Sequence, residues 1–230
     1  MISADDRILV GISGGVDSQT LMNLLASLQK RSPVRFELLP VYLDPGFEPS
    51  PASGLRSYVQ EHFGPMILER TNHGILAHSE KNRENPCFLC SRLRRKRLFE
   101  LARDLGCRKI ALGHNRDDII ETLFINMFYA GKIAAMRPRQ SFFKGRLDII
   151  RPLSYVDKED IVKFSRMFEI PEFGNACPSA EDTKRGQIRN MLGTLYQQNK
   201  HIKGNIFRSM GNVIHDYLLE NKDDRHSESA

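Results

Sequence analysis

The sequence has few cysteines and no long apolar run. No stretch of about 20 consecutive apolar residues, the length that a membrane-spanning helix needs, occurs in the 230 residues. The first ten residues, MISADDRILV, do not place an apolar segment after a basic one, as a secretory signal peptide would. We therefore expect a cytoplasmic protein. Four cysteines in that compartment are not expected to form a disulfide framework.

Neither sign of charge dominates the composition. The chain has 34 Lys and Arg against 28 Asp and Glu, which gives a net charge of +6. This balance favours an anionic partner without identifying one. The length and a hydrophobic content of 40% are sufficient for one α/β domain with a sizeable core.

Short apolar segments alternate with helical patterns along the first half of the chain. Strands are predicted at 7–12, 37–43, 65–69 and 109–113, and helices at 18–29, 55–63, 91–105 and 119–129. This alternation predicts a doubly wound parallel sheet with helices on both faces. Beyond it we predict an irregular or hairpin region at 132–153, a helix at 157–169, a loop at 170–183 and helices at 184–198 and 203–220. We expect residues 1–220 to form a single domain with C-terminal helices from about 157, and 221–230 to be a disordered tail.

The turn after the first strand, SGGVDS at 13–18, has neither the lysine and spacing of a P-loop kinase motif nor the G-x-G-x-x-G of dinucleotide folds. Its two glycines allow the backbone to approach an anion closely and to point several N–H groups at it. A phosphate there would lie at the positive end of the following helix. Ser13 and Ser18 can add hydroxyl donors, and Asp17 can cap the helix or bind Mg²⁺.

SGGVDS resembles the PP-loop signature of the N-type ATP pyrophosphatases, which split ATP between the α and β phosphates to adenylate a carbonyl oxygen. The resemblance implies an ATP site and an adenine nucleotide alpha hydrolase-like fold. The ATP-binding residues expected in this turn are Ser13, Gly14, Gly15, Val16, Asp17 and Ser18. The motif identifies the reaction class and leaves the substrate open.

Other candidate residues follow the second and fourth predicted strands. The carboxyl edge of a parallel sheet is where open α/β folds bind ligands. Leu43 and Asp44 are therefore expected near the adenosine half of the nucleotide, and Gly113 and His114 near its phosphates. His114 also fits the role of a hydrogen-bonded structural histidine.

Two acids begin the helix that follows the fourth strand. Asp117 is a candidate Mg²⁺ ligand or a group that orients the target base, whereas Asp118 fits a helix N-terminal residue equally well. We assign Asp117 and Asp17 as catalytic candidates and as candidate Mg²⁺ ligands. Arg94 is a further catalytic candidate, for steadying charge at the reacting base.

The segment PCFLCSRLRRKR at 86–97 places two cysteines, Cys87 and Cys90, three positions apart at the start of a predicted helix. Neighbouring guanidinium groups are expected to favour thiolate over thiol. A pair of partly buried cysteines and a zinc site remain alternatives. Cys177 lies in a predicted loop, and Cys107 fits a small buried apolar residue better. Three cysteines without an obvious fourth also suit an iron–sulfur cluster with one open iron.

The same segment resembles part of the TtcA family of tRNA 2-thiocytidine synthetases. Three further blocks resemble that family in the same order: GHNRDDIIETLFINMFYAGKIAAMRP, IIRPLSYVDKEDI, and the Cys177 loop with RGQIRNML. The resemblance covers most of residues 7–195, although members usually have Lys at the position of Val16. It implies a 4Fe-4S cluster on Cys87, Cys90 and Cys177. It further implies that ATP adenylates the C2 oxygen of a cytidine in the tRNA anticodon loop and that sulfur replaces that oxygen.

The resemblance makes tRNA the expected partner, and basic residues provide a plausible path for its backbone. The tRNA-binding candidates are Arg92, Arg95, Arg97, Arg137 and Arg139. A sulfur donor, either a cysteine desulfurase or sulfide, is also expected, and related proteins are often homodimers.

Three alternatives remain at this point. The chain could thiolate another tRNA base, or it could be an amidating or lysidine-type ligase that needs no cluster. It could also be a non-enzymatic nucleotide-binding or RNA-binding module, which would release no AMP.

Overall fold

The computed structural model describes residues 1–174, 176–179 and 183–219. They contain a six-stranded sheet in the order β3-β2-β1-β4-β6-β5. The strands are β1 (Asp6–Ile12), β2 (Phe36–Asp44), β3 (Ile67–Arg70), β4 (Lys109–Leu112), β5 (Arg139–Phe142) and β6 (Leu147–Ile150). All neighbouring pairs are parallel except β5 with β6. The predicted doubly wound α/β fold is confirmed.

Helices connect and flank these strands. They are α1 (Val16–Arg31), α2 (Ala52–Phe63), α3 (His73–Ala77), α4 (Pro86–Asp104), α5 (Arg116–Ala130), α6 (Lys158–Met167), α7 (Lys184–Gln198) and α8 (Ile202–Ser209). A short 3₁₀ helix follows at His215–Tyr217. No helix among the described residues is both long enough and apolar enough to cross a membrane.

The sheet has an apolar core on each face because successive strand residues point to opposite sides. Ile8, Val10 and Ile12 of β1 pack with apolar residues of α1 and α2. Leu9 lies on the other face, in a cluster with Leu98 and other residues of α4. Residues Met1–Asn190 form one compact unit, and a second unit begins at Met191.

Some boundaries differ from the sequence-based expectations. Helix α4 begins at Pro86 rather than 91, because Asn85 accepts a hydrogen bond from the Phe88 N–H and proline suits the first helical position. Helix α8 ends at Ser209, shortly before Gly211, so the helix predicted over 203–220 was too long. The short helix α3 was not predicted. The expected tail at 221–230 lies outside the described residues.

The region 132–153 forms the β5–β6 hairpin, in agreement with the hairpin alternative. It also extends the sheet, because β6 pairs with β4 in parallel. The turn at its tip contains Phe143 and Lys144, both with positive φ, of 52° and 58°. An aromatic residue is unusual in this backbone conformation, which Asn and Gly adopt more readily.

Replacing Gly113 with Ala should destabilise the protein. A Cβ at this position would lie 2.9 Å from the Asp17 carbonyl oxygen and 3.0 Å from the Ser18 nitrogen, both backbone atoms. We expect Gly113→Ala to lower the free energy of unfolding by about 1–3 kcal/mol, measured by urea denaturation. Gly193→Ala is the matched control, because a Cβ there meets no atom within 4 Å and α7 should gain about 0.5–1 kcal/mol. Equal effects of the two substitutions would contradict the close contact.

Candidate active site

The turn between β1 and α1 presents an open helix N-terminus. Gly14 has a φ of +83°, in the region that favours glycine, and its carbonyl accepts a hydrogen bond from the Phe173 N–H at 3.0 Å. Gly15 is the residue before α1, and no side chain within the described part of the protein caps this helix end. The first N–H groups of α1 are therefore available to an anion, as the sequence predicts.

The two serines of this turn have different roles. Ser18 is 4% exposed, and its hydroxyl donates to the Gly15 carbonyl at 3.0 Å and accepts from the Ser13 N–H at 3.0 Å. Ser13 is exposed, with its hydroxyl 3.1 Å from that of Ser18. Ser18 thus fixes the shape of the turn, while Ser13 lies where a phosphate oxygen could reach it.

Lys158 joins the two acids that were predicted to bind Mg²⁺. Its Nζ donates to both carboxylate oxygens of Asp17, at 2.8 and 2.7 Å. Its backbone N–H donates to Asp117 Oδ2 at 2.9 Å. Asn115 Nδ2 adds a weaker contact to Asp17 at 3.3 Å. The structure therefore brings Asp17 and Asp117 to opposite ends of one lysine at the start of α6.

The two acids at the start of α5 have different roles, because Asp118 caps the helix and Asp117 is a candidate metal ligand. Asp118 forms a capping box with Asn115 at 3.1 Å in both directions, and its other oxygen accepts from Arg185 at 2.7 Å. Asp117 instead approaches Asp157 and Glu159, and carboxylate oxygens of the three residues lie within 4.8 Å of one another. Such a group of oxygens is the donor set that Mg²⁺ prefers.

Both carboxylate oxygens of Asp44, at the end of β2, accept hydrogen bonds within the following turn. Its Oδ1 accepts from the Gly46 N–H at 2.9 Å, and its Oδ2 accepts from the Ser50 hydroxyl at 2.6 Å. Both Leu43 and Asp44 are buried. A contact between this strand end and an adenosine would therefore use backbone atoms.

His114 is a neutral imidazole in positive surroundings. Arg151 Nε donates to its Nδ1 at 3.3 Å. Burial is the largest cause of a pKa of about 3 for His114, and four nearby guanidinium groups lower the pKa further. These belong to Arg151, Arg185, Arg94 and Arg95. The ring is thus held uncharged at neutral pH, with Nε2 as its donor.

Three of these arginines, Arg151, Arg94 and Arg95, have no carboxylate partner among the described residues, whereas Arg185 is paired with Asp118. Arg151 is 5% exposed and donates to the Arg137 carbonyl at 2.6 Å, and burial lowers its pKa to about 10. Burial also lowers the pKa of Arg94, which lies near Cys90 and Tyr42. Buried charge is normally paired, so the buried Arg151 and the half-buried Arg94 make the surroundings of His114 suitable for an anion.

Three of the four cysteines converge. Burial raises the pKa of the Cys87 and Cys90 thiols, and the proximity of Cys177 raises both further. Arg185 and Arg94 act in the opposite direction on Cys87 and Cys90 respectively, but burial outweighs them. Neighbouring guanidinium groups therefore favour thiolate, as expected, but burial has the larger effect and both pKa values are raised overall. Cys107 is 5% exposed and packs in the apolar core, as predicted.

The segment that contains Cys177 is attached at two points. Phe173, four residues before the cysteine, donates its N–H to Gly14 in the phosphate loop at 3.0 Å. Ser179, two residues after it, has its hydroxyl 2.8 Å from His78 Nε2. These contacts place Cys177 between the phosphate loop and the region of α3. Neither contact could be predicted from the sequence, because residue spacing does not reveal contacts between distant segments.

The five arginines predicted to bind tRNA are not equivalent. Arg97 donates to Glu69 at 2.5 and 2.8 Å and to Glu100 at 3.0 Å, and Arg139 donates to Asp148 at 3.0 and 2.7 Å. Arg92 makes a single exposed contact of 3.2 Å with Glu84. The other two, Arg95 and Arg137, are exposed and have no ion pair within the described residues.

Comparisons with known proteins identify the class. The PP-loop domain family matches residues 3–195, and the chain belongs to it. More narrowly, the chain belongs to the family of the tRNA-cytidine(32) 2-sulfurtransferases, as the sequence resemblance predicted. The relative from Geotalea uraniireducens is 37% identical over 96% of this chain and 89% of its own length. The relative from Cupriavidus necator is 40% identical over 96% of this chain and 71% of its own length.

Solved structures support the same fold. The U34-tRNA thiolase NcsA from Methanococcus maripaludis, determined with its [4Fe-4S] cluster, superposes with a TM-score of 0.77 at 20% identity. The match covers 96% of this chain and 75% of NcsA. The NH3-dependent NAD synthetase from Campylobacter jejuni gives a TM-score of 0.50 at 14% identity, over 96% and 90% of the two chains.

The His114 ring should remain neutral well below its usual pKa. Because its pKa is about 3 in the folded protein and about 6.5 in an unfolded chain, acid favours the unfolded state. We expect its contribution to stability to be complete above about pH 6.5 and to be lost as the pH falls toward 3. Nitrogen-15 NMR of the ring, assigned with His114→Gln, measures this directly. A ring that titrates near pH 6.5 would contradict the proposed environment.

Proposed function

We propose that this protein is an ATP-dependent tRNA sulfurtransferase. It adenylates the C2 oxygen of a cytidine in the tRNA anticodon loop and replaces that oxygen with sulfur. The observation that carries the proposal is the proximity of Cys177 to Cys87 and Cys90 on α4, with Cys177 on a segment bonded to the phosphate loop through Phe173. Family membership supports the same activity, since the relatives are named for thiolation of cytidine 32.

The adenylation half of the site uses the start of α1 and the acids around Lys158. The N–H groups of residues 14–18 and the Ser13 hydroxyl bind the phosphates, with Gly113 allowing the close approach of β4. Asp17 and Asp117 would hold Mg²⁺, whose charge would neutralise the leaving pyrophosphate. Attack of the base oxygen on the α phosphorus then releases pyrophosphate, and the base carbon becomes susceptible to a nucleophile.

Lys158 gives this half of the site a second cation. Its ammonium is paired with Asp17. If Asp17 held Mg²⁺, the like charge of the metal would repel this ammonium, which could then contact the phosphates. Val16 supplies no charge within the phosphate loop, so a lysine from α6 takes that role.

The residues of the second half fit an iron–sulfur cluster. Three thiols converge, and Cys107, the remaining cysteine, is too deep in the core to be a fourth ligand. Cys87, Cys90 and Cys177 would hold the cluster, which would supply an iron without a protein ligand for sulfur transfer. Arg94, beside Cys90, stabilises negative charge that develops as sulfur attacks C2 and AMP leaves. His114 donates from Nε2 to a phosphate oxygen of the adenylate.

The remaining assignments follow from this activity. The partner is tRNA, which Arg92, Arg95 and Arg137 contact through its backbone, while Arg97 and Arg139 hold the protein surface in shape. The sulfur comes from a cysteine desulfurase or from sulfide. The protein acts in the cytoplasm, where its tRNA substrate is modified, and assembles as a homodimer.

Cys177→Ser should abolish the cluster. After anaerobic reconstitution, we expect the wild type to contain about four irons and four sulfides per chain with a broad brown absorbance, and the variant to lose most of both. Cys107→Ser is the matched control and should retain the cluster, since this thiol lies in the apolar core. Thiolation of a tRNA transcript should follow cluster content. Unchanged ATP-dependent AMP release in Cys177→Ser, with no thiolated tRNA from either protein, would instead favour a cluster-free ligase.

Lys158→Met should weaken ATP binding and strengthen Mg²⁺ binding. We expect the KM for ATP to rise about tenfold because a phosphate contact is lost, which corresponds to about 1.4 kcal/mol. The Mg²⁺ concentration for half-maximal AMP release should fall, because no ammonium competes for Asp17. Lys163→Met on the same helix is the control, since Lys163 contacts only exposed Asp160 among the described residues. An unchanged KM in Lys158→Met would refute the assigned role.

A further inference from the structure

A groove on the protein surface lies between one face of α4 and the β5–β6 hairpin. Its volume is about 660 Å³, within the range of sites that take a small ligand or a single nucleotide. It is lined by Arg92, Arg95, Lys96, Phe99, Glu100, Arg103, Cys107, Phe143, Arg146 and Leu147. The α4 residues recur every three or four positions, which places them on one side of the helix.

The groove combines an aromatic floor with a positive rim. The Phe99 and Phe143 rings meet edge to face, with centroids 5.4 Å apart at 83°. Five of the lining side chains are Lys or Arg, and Glu100 is the one acid. Glu100 is itself paired with Arg97 at 3.0 Å. Arg146 makes no ion pair among the described residues, so its charge is available to a partner.

Phe143 is exposed in a way that favours a binding role. It is 60% exposed at the tip of the hairpin, although burial of an aromatic ring is strongly favourable. Its backbone φ of 52° lies in the left-handed region, where a bulky residue is strained. The contact with Phe99 leaves most of the Phe143 ring exposed, and stacking against a ligand would cover the exposed part.

We propose that this groove binds an unstacked nucleotide of the tRNA substrate, away from the nucleotide that is modified. Single-stranded RNA is recognised by aromatic side chains that stack on bases and by cations that contact the backbone. A second copy of the chain would bring an equally positive rim against this one, and the like charges would repel. The proposal rests on the proposed function, because that function supplies the RNA.

The position of the groove relative to the candidate active site fits this role. Cys90 and Phe99 are nine residues apart on α4, which corresponds to about 14 Å along the helix axis. Arg95 lines the groove, and its charge also lowers the pKa of His114 and Arg151. An RNA strand that presents one base near the cysteines can therefore extend along α4 and place another nucleotide in the groove.

Charge reversal in the hairpin turn gives a matched test. Arg146 lines the groove, whereas Lys144, two residues away in the same turn, does not. We expect Arg146→Glu in the full-length protein to weaken binding of an unmodified tRNA transcript at least tenfold and to reduce the salt dependence of log Kd by about one unit. Lys144→Glu should change the affinity less than about threefold, because exposed charges outside a contact are screened.

Substitution of Phe143 tests the stacking. Phe143→Ala and Phe143→Leu should both weaken tRNA binding by about 5- to 150-fold, while Phe143→Trp should keep the wild-type affinity. The melting temperature should be unchanged because the side chain is exposed. Full affinity in Phe143→Leu would show apolar packing rather than stacking and would overturn the proposal. Equal effects of Arg146→Glu and Lys144→Glu would do the same.

Two further readouts separate this proposal from its alternatives. If Arg146→Glu alters the molecular mass measured by light scattering but leaves tRNA affinity unchanged, the groove is an interface between copies and the proposal is wrong. Thiolation at saturating tRNA should be near normal in the Phe143 variants, since the groove lies apart from the reacting atoms. A wild type that binds tRNA through the groove but forms no thiolated product would refute the proposed function alone.

Discussion

The contact between the end of β4 and the start of α1 is the constraint on which the candidate site depends. There is no room for a Cβ at Gly113, which would lie 2.9 Å from the Asp17 carbonyl oxygen. This approach brings His114 and Asp117, which follow Gly113 in the chain, next to the phosphate loop. The parallel pairing of β1 and β4 places both strand ends at one edge of the sheet. The candidate phosphate-site residues His114 and Asp117 are therefore positioned by backbone packing.

Charge divides the site into two parts. On one side Asp17, Asp117, Asp157 and Glu159 gather carboxylates, with Lys158 between the first two. On the other side four arginines surround a neutral His114, and three of them lack a carboxylate partner among the described residues. The first part suits a divalent cation and the second suits an anion. Mg²⁺ and a polyphosphate, which carry opposite charges, could bind across the boundary between them.

Local patterns in the sequence predicted most of the fold, because strand and helix periodicities and the glycine-rich turn are short-range properties. They also predicted that Asp118 could cap α5 and that Cys107 is buried. The Lys158–Asp17 pair spans 141 residues and the His78–Ser179 contact spans 101, and no spacing rule connects such positions. Arg97 and Arg139 were predicted to be RNA contacts from their charge alone. Their carboxylate partners come from other segments, Glu69 and Asp148, and only the folded chain shows that they meet.

The thiols illustrate how two opposing effects combine in one environment. Positive charge from Arg94 and Arg185 favours thiolate at Cys90 and Cys87, yet burial and mutual proximity raise both pKa values overall. Burial therefore favours the neutral thiols of Cys87 and Cys90, which lowers the cost of placing them together in a partly buried site. Metal ligation requires the thiolate forms, so iron bound by these cysteines would displace their protons. Arg94, which has no carboxylate partner among the described residues, would then face negative charge, whereas Arg185 is already paired with Asp118.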